Sequence, residues 1–280
     1  MNIKYNNELK TIDTPEKAYL LGQIYGDATN QCRTGRYKMS LASIDTDTPL
    51  YIELSKIFPF LQIKKYSSQP NLIYLENHQK ALCHDLKDLG MLSNKSKKDA
   101  TGEFHFPTLR KDLEHHFIRG YFDADGSAWF PNRKRSRNNL QIEFGCATPN
   151  FLRKIYEILS ENGINFVWTE RYKKAGNGKY YYSYKIFSSN RENSLKFADY
   201  IYKDATLYLT RKKEICYKTP SYRPSAFELF GKCPYCGGNS ITKDGSRRNP
   251  SGVVMQRLEC GECNRRFSRP MPTSEVTQNE

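Results

Sequence analysis

Two glycine-containing stretches about a hundred residues apart constrain this chain more than any other feature. Residues 18–28 read AYLLGQIYGDA, and residues 117–127 read FIRGYFDADGS. Placing Gly22 over Gly120 puts Gly26 over Ala124 and Asp27 over Asp125. Downstream landmarks repeat too: Thr48-Pro49 opens TPLYIELSKIF, and Thr148-Pro149 opens TPNFLRKIYEIL. Threonine caps a helix N-terminus well, and proline suits the first helical position because its missing N–H has no partner there. Thr14-Pro15 starts the first motif stretch in the same way. Two landmarks repeating at nearly equal spacing point to an internal duplication.

Each copy reads as helix, strand pair, helix, strand pair, helix. In copy one the helices fall near 15–27, 48–58 and 78–90, with strands near 36–44 and in FLQIKKY (60–66) and NLIYLE (71–76). In copy two the motif helix falls near 112–124, with strands near 127–131 and 139–147 and a helix over 149–162. A hairpin turns at Ala-Gly-Asn-Gly between NFVWTERYKK and KYYYSYKIF, and a last helix spans about 190–208. The fold class is therefore α+β: two pseudo-symmetric αββαββα repeats plus a small C-terminal domain. The expected boundaries are 1–105 and 106–217 for the repeats, 218–230 for a linker, 231–270 for the small domain and 271–280 for a disordered tail.

Gly22 and Gly26 lie four apart, as do Gly120 and Ala124, so each pair shares a helix face. Small residues there allow two helix backbones to meet, and their C-terminal ends then converge with Asp27 beside Asp125. Two close carboxylates repel and call for a cation. Oxygen ligands favour Mg²⁺ or a similar hard ion, which suits in-line hydrolysis of a phosphodiester. Charge agrees with such a substrate. The chain has 44 Lys+Arg against 30 Asp+Glu, a net charge of +14, with 20 Tyr and 15 Phe. Spread in clusters such as KSKK (95–98), RKRSR (133–137) and RYKKAGNGK (171–179), that excess points to nucleic acid rather than membrane. No stretch has the ~18 apolar residues of a membrane span, and MNIKYNNELK lacks a signal-peptide core. The expected location is the cytoplasm, or wherever the target genome resides.

FIRGYFDADGS resembles the signature of LAGLIDADG homing endonucleases, and LLGQIYGDA resembles a diverged second copy, so that about 15–217 is similar to the two-repeat, single-chain form. The first motif departs from the pattern in having Tyr25 for the usual first acid and Ala28 for the final glycine. The resemblance implies a saddle of two antiparallel sheets over duplex DNA, with strand side chains in the major groove and the acids over the minor groove. It implies a site-specific, Mg²⁺-dependent endonuclease that hydrolyses both strands, using two or more Mg²⁺ held by Asp27, Asp125 and the backbone carbonyls of Gly26 and Ala124. A lysine near the start of a repeat's second hairpin matches Lys64, with Lys65 as the neighbour; the matching stretch of copy two offers Glu170 and Arg171, leaving its basic partner open. With both repeats in one chain, the implied partner is a long, non-palindromic DNA site bound by a monomer. RNA is a second polyanion for the same surface, and an RNA-splicing maturase and an inactive DNA-binding regulator are the rival readings.

Arg33, Arg36, Lys38, Arg133, Lys134, Arg135, Arg137, Arg171, Lys173, Lys174 and Lys179 are the expected DNA contacts of the repeats. Asp123 is expected to stabilise the local turn or face solvent, Asp45 and Asp47 to cap the Thr48 helix, and His115 and His116 to lie on a helix surface without a metal partner.

CPYC (233–236) and CGEC (260–263) stand 23 residues apart. Four thiolates from two tight turns make a tetrahedral cage for one structural Zn²⁺ at Cys233, Cys236, Cys260 and Cys263. The segment resembles zinc ribbons appended to transposases. About 40 residues bury too little core to fold without such a staple. From 231 to 270 the sequence has eight Lys/Arg and three Asp/Glu. Arg247, Arg248, Arg265 and Arg266 are expected to touch phosphates, with protein binding as the competing role.

Overall fold

The computed structural model describes residues 3–91, 104–131, 139–146, 148–174, 178, 180–218 and 226–271. The chain divides into two compact units, one up to Pro220 and one from Ser221 onward. The basic stretches 95–98 and 133–137, Lys179 and the 272–280 tail lie outside the described residues.

The centre of the first unit is a pair of helices, α1 (Pro15–Asp27) and α4 (Lys111–Asp125). Thr14 caps α1 by accepting from the Lys17 amide at 3.3 Å, with proline in the first turn. A Cβ at Gly22 would sit 2.1 Å from the Phe117 carbonyl oxygen, and one at Gly120 would sit 2.1 Å from the Tyr19 carbonyl oxygen. The backbones touch, and only glycine fits at either position. One turn further, a Cβ at Gly26 would lie 2.2 Å from that of Ala124.

A four-stranded antiparallel sheet follows each helix, with the same strand order in both copies. The first joins β1 (Ala28–Arg33), β2 (Arg36–Ile44), β3 (Gln62–Lys64) and β4 (Leu72–Asn77) in the order β1-β2-β4-β3. The second joins β5 (Ser127–Trp129), β6 (Gln141–Cys146), β7 (Val167–Lys174) and β8 (Tyr180–Ser188) in the order β5-β6-β8-β7. Helices α2 (Thr48–Ile57), α3 (Lys80–Asp88), α5 (Pro149–Glu161) and α6 (Arg191–Tyr202) complete the two αββαββα patterns. Alternation along the strands sends Met39, Leu41, Ile73 and Leu75 of one sheet, and Ile142, Phe144 and Ile186 of the other, into one shared core. The second unit is the sheet β11-β10-β9, made from β9 (Ile241–Arg248), β10 (Val254–Cys260) and β11 (Arg266–Pro270). Among the described residues no helix is long and apolar enough to cross a membrane.

Several expectations need correction. β1 is a strand that the sequence reading left out: ATNQCR alternates buried and exposed positions, but its polar residues hide the pattern. The last helix does not run to 208. It stops at Tyr202, and a separate helix α7 (Thr210–Tyr217) follows. The break has a tertiary cause. Arg119 donates to the carbonyls of Ile201 and Leu207, both at 2.9 Å, and Leu207 and Leu209 drop into the core. Asp47 occupies the N-cap position of α2 but makes no capping bond. It is buried, accepts from Ser43 at 2.6 Å and takes a two-point ion pair from Arg211, both contacts at 3.0 Å. Within the expected 218–230 linker, a short helix α8 (Ala226–Phe230) packs Ala226 and Phe230 into the core of the second unit.

The helix contact is the most sensitive packing site. Gly120→Leu is expected to cost at least about 3 kcal/mol in denaturant unfolding, because the clash is with backbone and cannot be relieved by a rotamer. Gly145→Ala, whose nearest added contact is 3.9 Å away, is expected to change stability by less than about 0.5 kcal/mol.

Candidate active site and nucleic-acid interface

The small-residue face determines where the acids end up. Because Gly26 abuts Ala124, an added Cβ at Gly26 would lie only 3.4 Å from the Asp125 amide nitrogen. Asp27 and Asp125 therefore end two adjoining helices, and both are exposed. Each helix C-terminus carries partial negative charge from its last carbonyls. Two carboxylates added to two such ends concentrate negative charge where the helices meet. On α2, buried Tyr51 feels Asp27: burial first, and then that carboxylate, push its phenol well above the ordinary range.

Asp123 neither faces solvent nor serves a local turn. It is fully buried, accepting from Tyr202 at 2.6 Å, the Leu209 amide at 2.8 Å and Tyr19 at 2.9 Å. Its burial raises its pKa, against the pull of these donors and of Lys212. In the other repeat the aligned residue is Tyr25, also fully buried. Its ring stands 5.0 Å from Phe104, 5.2 Å from Phe117 and 5.9 Å from Phe151, and its hydroxyl donates to the Leu89 carbonyl. The first acid position of the motif is thus an anchoring position in both copies, filled by different chemistry.

Lys212 and Arg119 were missed in the sequence reading. Lys212 on α7 is 7% exposed and donates to the carbonyls of Gly126 at 2.6 Å, Phe122 at 2.7 Å and Ala124 at 3.2 Å. Burial, with Arg211 next to it, lowers its pKa to about 8, opposed by Asp123, Asp27 and Asp125. The available signal was the spacing Leu209, Lys212, Cys216, which puts the lysine on the buried face of its helix. Arg119 lies fully buried between His116 and the 201–207 segment, its guanidinium 5.2 Å from the Tyr19 ring.

His115 and His116 do have a neighbour at metal-ligand range, Asp204. His115 contacts it at 3.0 Å, and the Nε2 of His116 stands 3.8 Å from it. His116 is buried, however, and its Nδ1 must accept from Arg119 at 2.7 Å, since a guanidinium only donates. Its Nε2 then carries the proton and is not a ligand, so the trio is a structural network.

Register places the basic residues. Arg33, Arg36 and Lys38 alternate with the core-facing positions of β1 and β2 and so share the open face of the first sheet. Arg33 and Arg36 are exposed. Lys38 is committed to an ion pair at 2.7 Å with Glu76, whose side chain is 2% exposed and also accepts from Ser40 and Tyr66. Lys64 is exposed on that open face opposite Tyr74, while Lys65 pairs with Asp45. On the second sheet Arg171 is exposed on the open face with Lys185, which pairs with Glu143. Lys173 and Lys174 end β7, opposite Tyr181 and Tyr180. Arg133, Lys134, Arg135, Arg137 and Lys179 fall outside the described residues.

In the second unit the four cysteine sulfurs come within 4.8 Å of one another. Cys233 and Cys263 stand 3.7 Å apart, and Cys236 and Cys260 stand 3.6 Å apart. A tetrahedral ion with sulfur ligands at about 2.3 Å needs sulfur separations of about 3.8 Å. The two CxxC turns are built alike. The Cys233 amide donates to Gly238 and its carbonyl accepts from Gly237, as the Cys260 amide donates to Arg265 and its carbonyl accepts from Asn264. Each turn bends through a positive φ, +73° at Gly237 and +56° at Asn264. Arg247, Arg248, Arg265 and Arg266 are all exposed. Arg265 stacks over Tyr235 at 5.2 Å, and Arg266 contacts Asp244 and Glu259.

Residues 112–202 match the family profile of the LAGLIDADG-like domain, and the chain carries such a domain. Among solved structures it is similar to the homing endonuclease I-DmoI in complex with DNA and Ca. The identity is 16% and the TM-score 0.47, covering 74% of this chain and 97% of that one. It is also similar to the meganuclease I-AabMI bound to uncleaved DNA, at 13% identity and TM-score 0.46, covering 72% and 88%. A third is I-SmaMI bound to cleaved DNA, at 12% identity and TM-score 0.45, covering 73% and 87%. No curated protein matches the chain.

The buried histidine gives this unit an acid limit. Burial, with Arg119 next, lowers the pKa of His116 to about 4, below the ordinary 6.5. The folded state then binds fewer protons than the unfolded chain between these values. Stability is fully present above pH 6.5 and lost as pH falls toward 4, by up to about 3 kcal/mol from this group. Urea unfolding across that window should show the slope, and His116→Gln should flatten it.

Proposed function

We propose that the chain is a divalent-metal-dependent DNA endonuclease of the homing type, which hydrolyses both strands of a long, non-palindromic site. One observation carries this reading: two exposed aspartates, one from each repeat, end helices that touch and that lead into two sheets of matching strand order. The donor set there is oxygen only, which fits Mg²⁺ and its neighbours among hard ions. When bound, the ions supply an activated water and charge compensation for the leaving oxygen. Asp27 and Asp125 would hold them, with the carbonyls of Gly26 and Ala124 beside the acids. The Ala124 carbonyl already accepts from Lys212, so its remaining lone pair is the one open to an ion. Exposed Lys64 can order solvent or balance charge on the first-repeat side.

The open faces would meet the DNA. Arg33, Arg36 and Arg171 are exposed, and arginine can read guanine in two-point fashion. Lys38 and Lys185 are held by Glu76 and Glu143, so their contribution is a shaped, near-neutral surface rather than a phosphate grip. The four-cysteine cage is read as one structural Zn²⁺ site, and the exposed arginines of its unit as phosphate contacts that extend the footprint.

Asp125→Asn is expected to abolish Mg²⁺-dependent linearisation of a plasmid bearing the target while retaining its binding in a gel-shift assay. Equal cutting by wild type and variant would sink the reading. A strong chelator, or Cys260→Ser, is expected to remove one equivalent of zinc and unfold the second unit, measured by metal analysis and limited proteolysis. The first unit should remain folded.

A further inference from the structure

We infer that Lys212 is a resident counter-cation of the two-aspartate seam. It is a positioning residue, supplied by the helix that follows the second αββαββα pattern, that stands in for part of the metal charge when no ion is bound. This rests on the metal-dependent reading above and deepens it.

Three observations converge. First, all three N–H donors of the Lys212 ammonium point at carbonyls of the same helix end, Phe122, Ala124 and Gly126. These oxygens flank Asp125 in the chain. Of these carbonyls, that of Phe122 also accepts from the Gly126 amide at 2.9 Å, and no basic residue of the helix's own lies in its last turn. The lysine is therefore the cap of the second motif helix, delivered from a different element. Second, it feels both Asp27 and Asp125 as well as Asp123. It is thus the one described buried lysine whose charge acts on both sides of the seam.

Third, the segment carrying it is tied to both repeats. Thr206 bonds Glu16 of α1 at 3.1 Å, the Leu209 amide bonds Asp123 of α4, and Arg211 holds Asp47 ahead of α2. Consecutive residues 211 and 212 thus pin the first and second repeats respectively. That strap fixes the ammonium where two helix ends and two carboxylates converge.

A cation bonded to the Ala124 carbonyl repels a divalent ion at the adjacent Asp125. The role therefore has a signature that a packing role lacks: removing the charge should tighten metal binding while loosening the metal-free protein. The probe is Mn²⁺, followed by water-proton relaxation and by melting temperature on the zinc-loaded, full-length chain without DNA. Lys212→Met and Lys212→Gln are expected to bind Mn²⁺ about fivefold or more tightly than wild type. Mn²⁺ should raise their melting temperature by more than it raises that of wild type. Gln retains N–H donors for the carbonyls, so it serves if Met proves too unstable. Lys212→Arg, which keeps the charge, should retain wild-type affinity. Neutral variants with Mn²⁺ affinity within twofold of wild type, or with no extra stabilisation by Mn²⁺, overturn the inference. Asp125→Asn separates the two levels. If it binds Mn²⁺ as wild type does, the shared metal site is itself wrong; if it loses Mn²⁺ while the neutral Lys212 variants are unchanged, only the role of Lys212 fails.

Discussion

The backbone contact between two helices is the constraint on which the rest of the structure depends. With Gly22 against Phe117 and Gly120 against Tyr19, there is no room for a side chain between α1 and α4. Everything else in the first unit is arranged around that line. The helices end together, each leads directly into the first strand of its sheet, and the acids at their tips are both exposed. The electrostatic problem is a direct result of the packing solution. Helix ends that touch bring their carbonyl dipoles together, and the sequence adds a carboxylate to each.

The C-terminal segment answers that problem. Residues 201–217 cap the second motif helix, complete the Asp123 network and hold Asp47. Buried charge is tolerated here because Asp123, Lys212 and Arg119 each find hydrogen-bond partners, although Nη2 of Arg119 has none among the described residues. Removing one partner of such a network costs about 3–5 kcal/mol, since it strands the other. Arg119, Asp123 and Lys212 thus couple the integrity of the core to the shape of the seam. The LAGLIDADG-like match ends at residue 202, before most of this segment begins.

The duplication, the strand pattern and the small-residue face were legible in the sequence because they are local periodicities. Gly22 over Gly120 and Thr48 over Thr148 need no tertiary knowledge. The cysteine cage was legible for the same reason, since two tight turns bring four thiols together wherever the chain goes. What could not be read was pairing at a distance. Asp47 looks like a helix cap because nothing nearby in sequence announces Arg211, 164 positions away. Asp123 looks like a surface acid because its donors come from α1 and from 202–209. The basic residues of the strands were named from their clustering alone, and that Lys38 would be occupied by Glu76 depended on a strand partner beyond the reach of pattern.

The unequal anchors at the first acid position have a lasting consequence. Tyr25 fits a socket made by Leu89, Phe104, Phe117 and Phe151, while Asp123 requires Tyr19, Tyr202 and the Leu209 amide. Neither socket would accept the other residue: one would bury an acid among aromatic rings, the other would leave donors facing a ring. The two halves have become non-interchangeable parts. Joining either half to a copy of itself would leave a misfit at the seam, so the inherited symmetry survives in the outline of the fold but no longer in its joinery.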